Sequence, residues 1–497
     1  MSITSVTFRM YNTGSVGDCL LLLFNEGPKV AFKMMIDCGG WNADSATITD
    51  CVKDIRTTCK GELDLLVVTH QHLDHVSGFN QAKAEFEKIK VKQVWMSWIE
   101  NKADDIARIL KDKYGKKLKQ LTRNTALALK GIQARKAKAP AGGGSGLASK
   151  EARMLCAMEL LKLETGEIET GLAKKGRGAK AAGGKLTNED AMTFVKAMTR
   201  NLKYKKPGDV IDDMSGAENV KFFILGPPRD KDMKYFKIDM EDDEMYHLAI
   251  KAASEQKEGE EETMKITDMI FNNDIALEDY RSPFRDEYKM TGAERARFNK
   301  YYNSRQMIPR QIETDWLETD VGIALRVNRL TNNTSLAMAI EFAPDKIILL
   351  PGDAQSGNWL GWHKPDVKKK LKDNGGKDTD ELLKNTIFYK VGHHGSHNGT
   401  ASNSGLEKMK SEDLVAMMPL VQDKIPEGWG GPKNFPAGPL YEHLITKTLG
   451  RIIRTDEGVA TKASAVKMRD KLKAKQQKEF DSSFVKGPCY MQYTINA

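Results

Sequence analysis

Apolar positions along the chain fall into short continuous runs separated by polar, glycine-marked turns. Thr4 to Phe24 reads as strand, turn, strand: the turn is Gly14-Ser15-Val16-Gly17-Asp18, and the second strand is Cys19-Leu20-Leu21-Leu22-Leu23-Phe24. Val30 to Asp37 is another apolar run, closed by Asp37-Cys38-Gly39-Gly40. Ala46 to Thr58 has the spacing of a short helix. Leu63 to Thr69 reads as a buried strand that delivers the chain into His70. Strand-length apolar runs alternating with helical stretches predict a layered α/β architecture.

The pattern changes after Trp98. Lys102 to Lys130 is charged with a helical period, and Ala134 to Ser149 and Lys174 to Lys185 are Lys-, Ala- and Gly-rich and read as linkers. Leu186 to Asp190 can cap a helix running to about Leu202. Strand character returns at Val220 to Leu225. From Arg229 to about Thr319 lies a second insert with acidic stretches at Asp239–Glu244 and Glu258–Glu262. Leu336 to Phe342 and Lys346 to Leu350 then read as a hairpin. Thr386–Val391, Ala416–Leu420 and Arg451–Thr455 read as further strands, Lys462–Phe480 as a charged helix, and Tyr490–Ile495 as a last strand. The predicted organisation is therefore 1–100 and 321–497 as two halves of one domain, 203–228 as a return to its strands, and 101–202 and 229–320 as two charged, mostly helical insertions.

Charge sharpens this division. The chain carries +9 overall, yet Asn101 to Lys206 alone holds 25 Lys and Arg against 10 Asp and Glu, a local excess of +15. Such a region either meets phosphates, nucleic acid included, or is a solvated helical insert. The first insert is basic and the second partly acidic, which suits packing against each other or docking of a protein partner. No run approaches the roughly 18 apolar residues of a membrane helix, and the N-terminus lacks the pattern of a signal peptide. Six scattered cysteines without a C-x-x-C pair read as reduced thiols. These features together predict a cytoplasmic protein away from membranes.

Histidine placement carries the chemistry. Six of the nine histidines fall in two windows, His70–His75 and His393–His397, each just after an apolar run. In His70-Gln71-His72-Leu73-Asp74-His75, two imidazoles one residue apart can face one metal, while Asp74 and His75 can serve a second. Between the windows, Ile347-Ile348-Leu349-Leu350-Pro351-Gly352-Asp353 ends a strand on a carboxylate placed to bridge two ions. In Lys390-Val391-Gly392-His393-His394-Gly395-Ser396-His397, adjacent side chains point different ways, so one of His393 and His394 is expected as a ligand. The other, with Ser396 or His397, then faces substrate or acts as an acid. Trp359 and Trp362 either line a pocket or pack in the core; Trp95 and Trp98 read as core.

These elements, in this order, resemble the metallo-β-lactamase fold superfamily, and within it the ComEC-like soluble hydrolase domain. The likeness rests on Gly14–Leu20, Met35–Gly39, Asn332–Leu336 with Leu350–Asp353, and His393-His394-Gly395-Ser396, and it spans roughly 1–100, 203–228 and 321–497. The resemblance implies an αββα sandwich. It implies two divalent ions, zinc first and manganese or iron(II) as alternatives, held by His70, His72, Asp74, His75, Asp353, His394 and His393. It also implies support from Asp37 and Asp18. Many members place a further ligand histidine where this chain has Thr331-Asn332-Asn333, so Asn333 or solvent is expected there.

The expected reaction is hydrolysis by a metal-bridging hydroxide, with Asp74 at the metals and His393 or His397 protonating the leaving group. A phosphodiesterase or nuclease is the leading expectation. Hydrolysis of a small ester, lactone or amide is the alternative, and a binding protein on a metallohydrolase fold is a third reading.

Overall fold

A computed structural model describes residues 2–136, 145–166, 186–229, 235 and 317–497. It divides into two compact units: Met1–Arg108, Lys162–Ala249 and Arg329–Ala497 form one, and Ile109–Leu161 with Ile250–Asn328 the other.

Among the described residues, the first unit is built on two mixed sheets of eight strands each. One sheet contains β1 (Ser5–Tyr11), β2 (Leu20–Glu26), β3 (Lys29–Ile36), β4 (Glu62–Val68), β5 (Lys90–Ser97) and β6 (Leu202–Lys205), with β15 (Phe484–Lys486) and β16 (Tyr490–Asn496) at the other edge beyond β1. The second contains β7 (Val210–Ile211), β8 (Lys221–Ile224), β9 (Met338–Ala343), β10 (Lys346–Leu350), β11 (Thr386–Lys390), β12 (Val415–Met418), β13 (Ile452–Arg454) and β14 (Gly458–Val459), paired in that order. β3 runs parallel to β4, β4 to β5, β10 to β11 and β11 to β12. Loops leaving the ends of these strands supply most of the site.

The apolar runs are explained by burial on both faces, which removes the need for polar alternation. In β2, Leu20, Leu22 and Phe24 face the other sheet, while Leu21 and Leu23 face outward into a second core. β10 repeats this: Ile348 and Leu350 point between the sheets, Ile347 and Leu349 away from them. The Phe8 and Phe388 rings stack at 3.7 Å between the two sheets. Helices cover the outer faces. On the first lie α1 (Ser45–Thr58), α2 (Leu73–Gln81), α3 (Lys83–Phe86) and, later in the chain, Asn188–Ala197. α1 is started by Asp44, whose carboxylate accepts the Thr47 N–H. On the second sheet, Trp359 and Trp362 are fully buried core residues, as Trp95 and Trp98 are elsewhere in the unit.

The second unit contains most of α4 (Asp105–Lys136), the first part of α5 (Ser145–Thr165) and the start of a helix at Leu317–Asn332. Ile132 and Met154 form a small apolar contact between α4 and α5.

Three particulars differ from the pattern reading. The apolar pattern does not predict β5. Residues 162–166 and 186–202 belong with the sandwich and not with the insert, because α6 (Asn188–Ala197) buries Ala191, Met192 and Val195 in the core that covers the first sheet. The helix expected over Lys462–Phe480 is two helices, Ala463–Arg469 and Ala474–Ser483, and at the start of the second the Gln476 side-chain oxygen accepts the Lys473 backbone N–H. The linker at Lys174–Lys185 and both acidic stretches of the second insert lie outside the described residues. Among the described residues, no helix is long and apolar enough to cross a membrane. All six cysteines are free thiols.

Candidate metal centre

Two glycine-rich turns make room for the site. A β-carbon on Gly39 would sit 2.4 Å from the Asp74 carbonyl carbon, and one on Gly17 would sit 2.3 Å from the Gly39 carbonyl oxygen. Only glycine lets these three backbone segments touch. The contact is sealed by hydrogen bonds: Asp18 N–H donates to Asp74 O, Gly39 N–H to Asp18 O, and Cys38 N–H to His75 O. Asp18 and Asp37 are thereby locked against the loop that carries His70 to His75.

β4 ends at Val68, and His70 and His72 follow in the loop; α2 starts at Leu73, so Asp74 and His75 sit in its first turn. There the positive end of the helix dipole favours the Asp74 carboxylate. β10 delivers Asp353 and β11 delivers His393 and His394. Asp37, His393 and His394 adopt left-handed backbone angles, with φ of 53°, 48° and 53°. Non-glycine residues held there cost about 1–3 kcal/mol each and cluster at functional sites.

Each of four histidines has one ring nitrogen held by the protein and the other turned toward a second candidate ligand. His75 Nδ1 lies 2.8 Å from Asp37 Oδ2, leaving Nε2 facing Asp353 Oδ2 at 3.1 Å. His394 Nδ1 lies 2.8 Å from the Pro419 carbonyl, leaving Nε2 3.0 Å from Asp74 Oδ2 and 3.7 Å from Asp353 Oδ2. His70 Nδ1 is 3.1 Å from Thr69 Oγ1 and 3.2 Å from Ser335 Oγ, and its Nε2 faces His72 Nδ1 at 3.1 Å. His72 Nε2 is taken by Glu164 Oε1 at 2.7 Å. Such an outer partner on one nitrogen is the usual way a ligand imidazole is fixed in tautomer and orientation.

Ligand atoms of Asp18, His75, Asp353 and His394 lie within 4.8 Å of one another, and all four residues are buried. This cluster could hold a metal ion. The donor set passes two further tests. Asp74 Oδ1 and Asp18 Oδ1 are buried without a hydrogen-bond partner, which is costly unless something else satisfies them, and His75 Nε2 meets only the Asp353 carboxylate. Asp18, Asp37, Asp74, Asp353 and Glu164 also bring five buried carboxylates into one region, a negative excess that Lys390 and the protonated forms of His75, His72 and His394 offset in part. Cations relieve such a charge excess.

The electrostatics follow. Burial opposes charge on His75, but Asp353, Asp18, Asp74 and Asp37 outweigh it and hold its pKa well above the ordinary value. Burial likewise opposes charge on Asp353, yet His75, Lys390 and His394 hold its pKa well below the usual carboxylate range. His70 is pushed well down by burial and by its neighbours His75 and His72. Burial raises the Asp37 pKa, partly offset by His75.

The remaining expected residues are placed as follows. Asp37 accepts both the Thr69 N–H and hydroxyl, tying β3 to the histidine loop. Asp18 joins the cluster itself, paired with Lys390. His393 stands apart from the ligand set: its N–H donates to Asp353 Oδ1, and its ring lies between Gln355, Asn398 and Asn332. Burial lowers its pKa to about 4. Ser396 donates to Asn398 Oδ1 and so steadies that side chain beside His393. His397 is exposed. The Asn333 side-chain oxygen accepts the N–H groups of Gln355 and Asn358, a structural use that occupies the oxygen expected to serve a metal.

Sequence reasoning missed Lys390 and Glu164. Lys390 looks like a strand-end lysine, but it is buried between Asp18 and Asp353, and those carboxylates raise its pKa against the effect of burial. Glu164 lies among charged helical residues with no local signal of its role. No family model matches the chain, and no curated protein matches it.

Proposed function

We propose that this chain is a metal-dependent hydrolase of the metallo-β-lactamase superfamily, acting on phosphodiesters and resembling the ComEC-like domain. The observation that carries the reading is the ring-nitrogen arrangement: His70, His75 and His394 keep Nε2, and His72 keeps Nδ1, turned toward other ligands while the opposite nitrogen is held. The second nitrogen of each ring meets another candidate ligand: His70 and His72 face each other, His394 faces Asp74, and His75 Nε2 faces the Asp353 carboxylate.

His70 and His72 would hold one ion. His75, Asp74 and His394 would hold a second, with Asp353 between them. Bound divalent ions in such a centre supply a nucleophile from water near neutral pH and polarise the bond to be cut. The chain's own part is positional. Asp37, Thr69, Ser335, Glu164 and the Pro419 carbonyl fix the imidazoles. Lys390 and the His393 N–H hold Asp353 Oδ1, which leaves Oδ2 toward His75 and His394. His393, partly exposed and held neutral by burial, would contact substrate through a neutral ring nitrogen and would not serve as the proton donor expected from the sequence. The phosphodiester preference is supported by the motif likeness and by the +15 excess over Asn101–Lys206.

The test is elemental analysis of the purified protein, followed by hydrolysis of bis-p-nitrophenyl phosphate, single-stranded DNA and RNA by the wild type, Asp74→Ala and Asp353→Ala. Bound metal and phosphodiester turnover that both variants lose are expected. A metal-free wild type, or variants that keep full turnover, would sink the proposal.

A further inference from the structure

Glu164 is a residue without an obvious reason to be buried. It lies in the last turn of α5, and its side chain is 1% exposed. Oε1 is 2.7 Å from His72 Nε2, and Oε2 accepts the Thr331 hydroxyl at 2.7 Å. Both carboxylate oxygens are therefore engaged, which fixes the plane of the group. Thr331 lies in the last turn of the helix Leu317–Asn332, which we call α7. The backbone behind Glu164 is held as well, since Asn188 donates its side-chain amide to the carbonyls of Leu163 and Glu164.

The consequence is read at the other nitrogen of the same ring. A carboxylate facing Nε2 keeps the proton there and leaves the Nδ1 lone pair exposed. Nδ1 is the atom that faces His70 Nε2 at 3.1 Å. Two nitrogens bound tetrahedrally at about 2.0–2.1 Å from one ion stand roughly 3.3 Å apart, so the pair is already near a ligand spacing. Without Glu164 the ring could rotate, or shift its proton to Nδ1, and the pair would lose a ligand.

We infer that Glu164 is a positioning residue for the His70–His72 metal site, holding His72 in the tautomer that ligates through Nδ1, with Thr331 holding Glu164. The inference rests on the metallohydrolase reading above. It also bears on the chain's organisation, because the chain re-enters the sandwich unit at Lys162 and at Arg329, immediately before Glu164 and Thr331. The two re-entry turns thus meet in one hydrogen bond beside the histidine.

The experiment uses the full chain, stripped of metal and titrated with Co(II), and reads the visible ligand-field spectrum and the bound stoichiometry. The variants are Glu164→Ala, Glu164→Gln and Thr331→Val, with His72→Ala as the reference for a lost site. Glu164→Ala should weaken one class of Co(II) site about 10- to 100-fold and change its spectrum, as removal of a carboxylate behind a ligand histidine does. Glu164→Gln, which keeps an acceptor without the charge, should fall between Ala and wild type. Thr331→Val should move the spectrum in the same direction by less. The site lost in His72→Ala should be the one weakened. If Glu164→Ala does not fold, Glu164→Gln and Thr331→Val decide. Wild-type affinity and spectrum in the folded variants would overturn the inference and leave the metallohydrolase reading standing. A wild type that takes up no Co(II) would overturn both.

Discussion

His75 Nε2 lies 3.1 Å from Asp353 Oδ2, an ion-pair distance between two buried side chains. The two atoms stand side by side, as ligands of a common ion do. Asp353→Asn keeps the size of the side chain and removes the charge that His75, His394 and Lys390 face. Metal retained after dialysis should fall by at least one ion per chain, and metal-supported turnover by about 10³-fold or more, of the order expected when transition-state charge stabilisation is lost. Far-ultraviolet circular dichroism should be unchanged. Retention of all the metal by the variant would show that Asp353 is not a ligand.

Gly39 offers a separate test of how the loops are built. A methyl group there meets the Asp74 backbone at 2.4 Å, and backbone is the neighbour least able to move. Gly39→Ala should destabilise the protein by about 1–3 kcal/mol or more and reduce metal uptake, because Asp74 shifts with its carbonyl. Gly115, inside α4 with open space around its would-be β-carbon, is the control. Alanine there should be neutral or stabilise by about 0.5–1 kcal/mol. Chemical denaturation compares the two; equal effects would dismiss the packing argument.

What can be read from sequence depends on how local the cause is. His70 to His75 is legible because its spacing alone constrains the imidazoles, and β2, β4 and β10 are legible because burial on both faces makes them uniformly apolar. β5 escapes because Lys90, Lys92 and Gln93 interrupt its apolar residues at the strand's more exposed end. Glu164 lies 92 residues from His72 and Thr331 lies 167 from Glu164, so no window contains the relationship. The choice between His393 and His394 is open in the sequence, since strand geometry says only that neighbours diverge. In the structure, the left-handed backbone of both residues turns His394 onto Asp74 and His393 toward Gln355 and Asn398.

Basic residues between Lys111 and Lys136 test the substrate class. If the substrate is a nucleic acid, replacing Lys111, Arg123 and Lys130 by alanine should raise KM for single-stranded DNA. It should also flatten the salt dependence by about 0.7 log units per log unit of salt for each phosphate left without its cation. Turnover of bis-p-nitrophenyl phosphate, which has no chain to track, should not change. An unchanged DNA KM and salt slope in the triple variant would remove this segment from substrate binding and weaken the nuclease reading.

Metal-free protein should show a stability maximum near pH 6.5, and the argument rests on shifts of opposite sign. His75, His72 and His394 have folded pKa values raised by buried carboxylates against the effect of burial. Their contribution is full below the unfolded value of about 6.5 and is lost as pH rises through the folded values. His70 and His393 are lowered by burial, His393 to about 4. They are neutral when folded, so their contribution is present above about pH 6.5 and declines as pH falls toward the folded values. Melting temperature should therefore decline on both sides. A saturating divalent ion binds the neutral imidazoles, so proton release accompanies uptake and the loaded protein should gain stability as pH rises from about 6 to about 8. Scanning calorimetry across roughly pH 5 to 9, with and without metal, checks the sign reversal. Parallel profiles in the two states would mean that these histidines do not take up the ion.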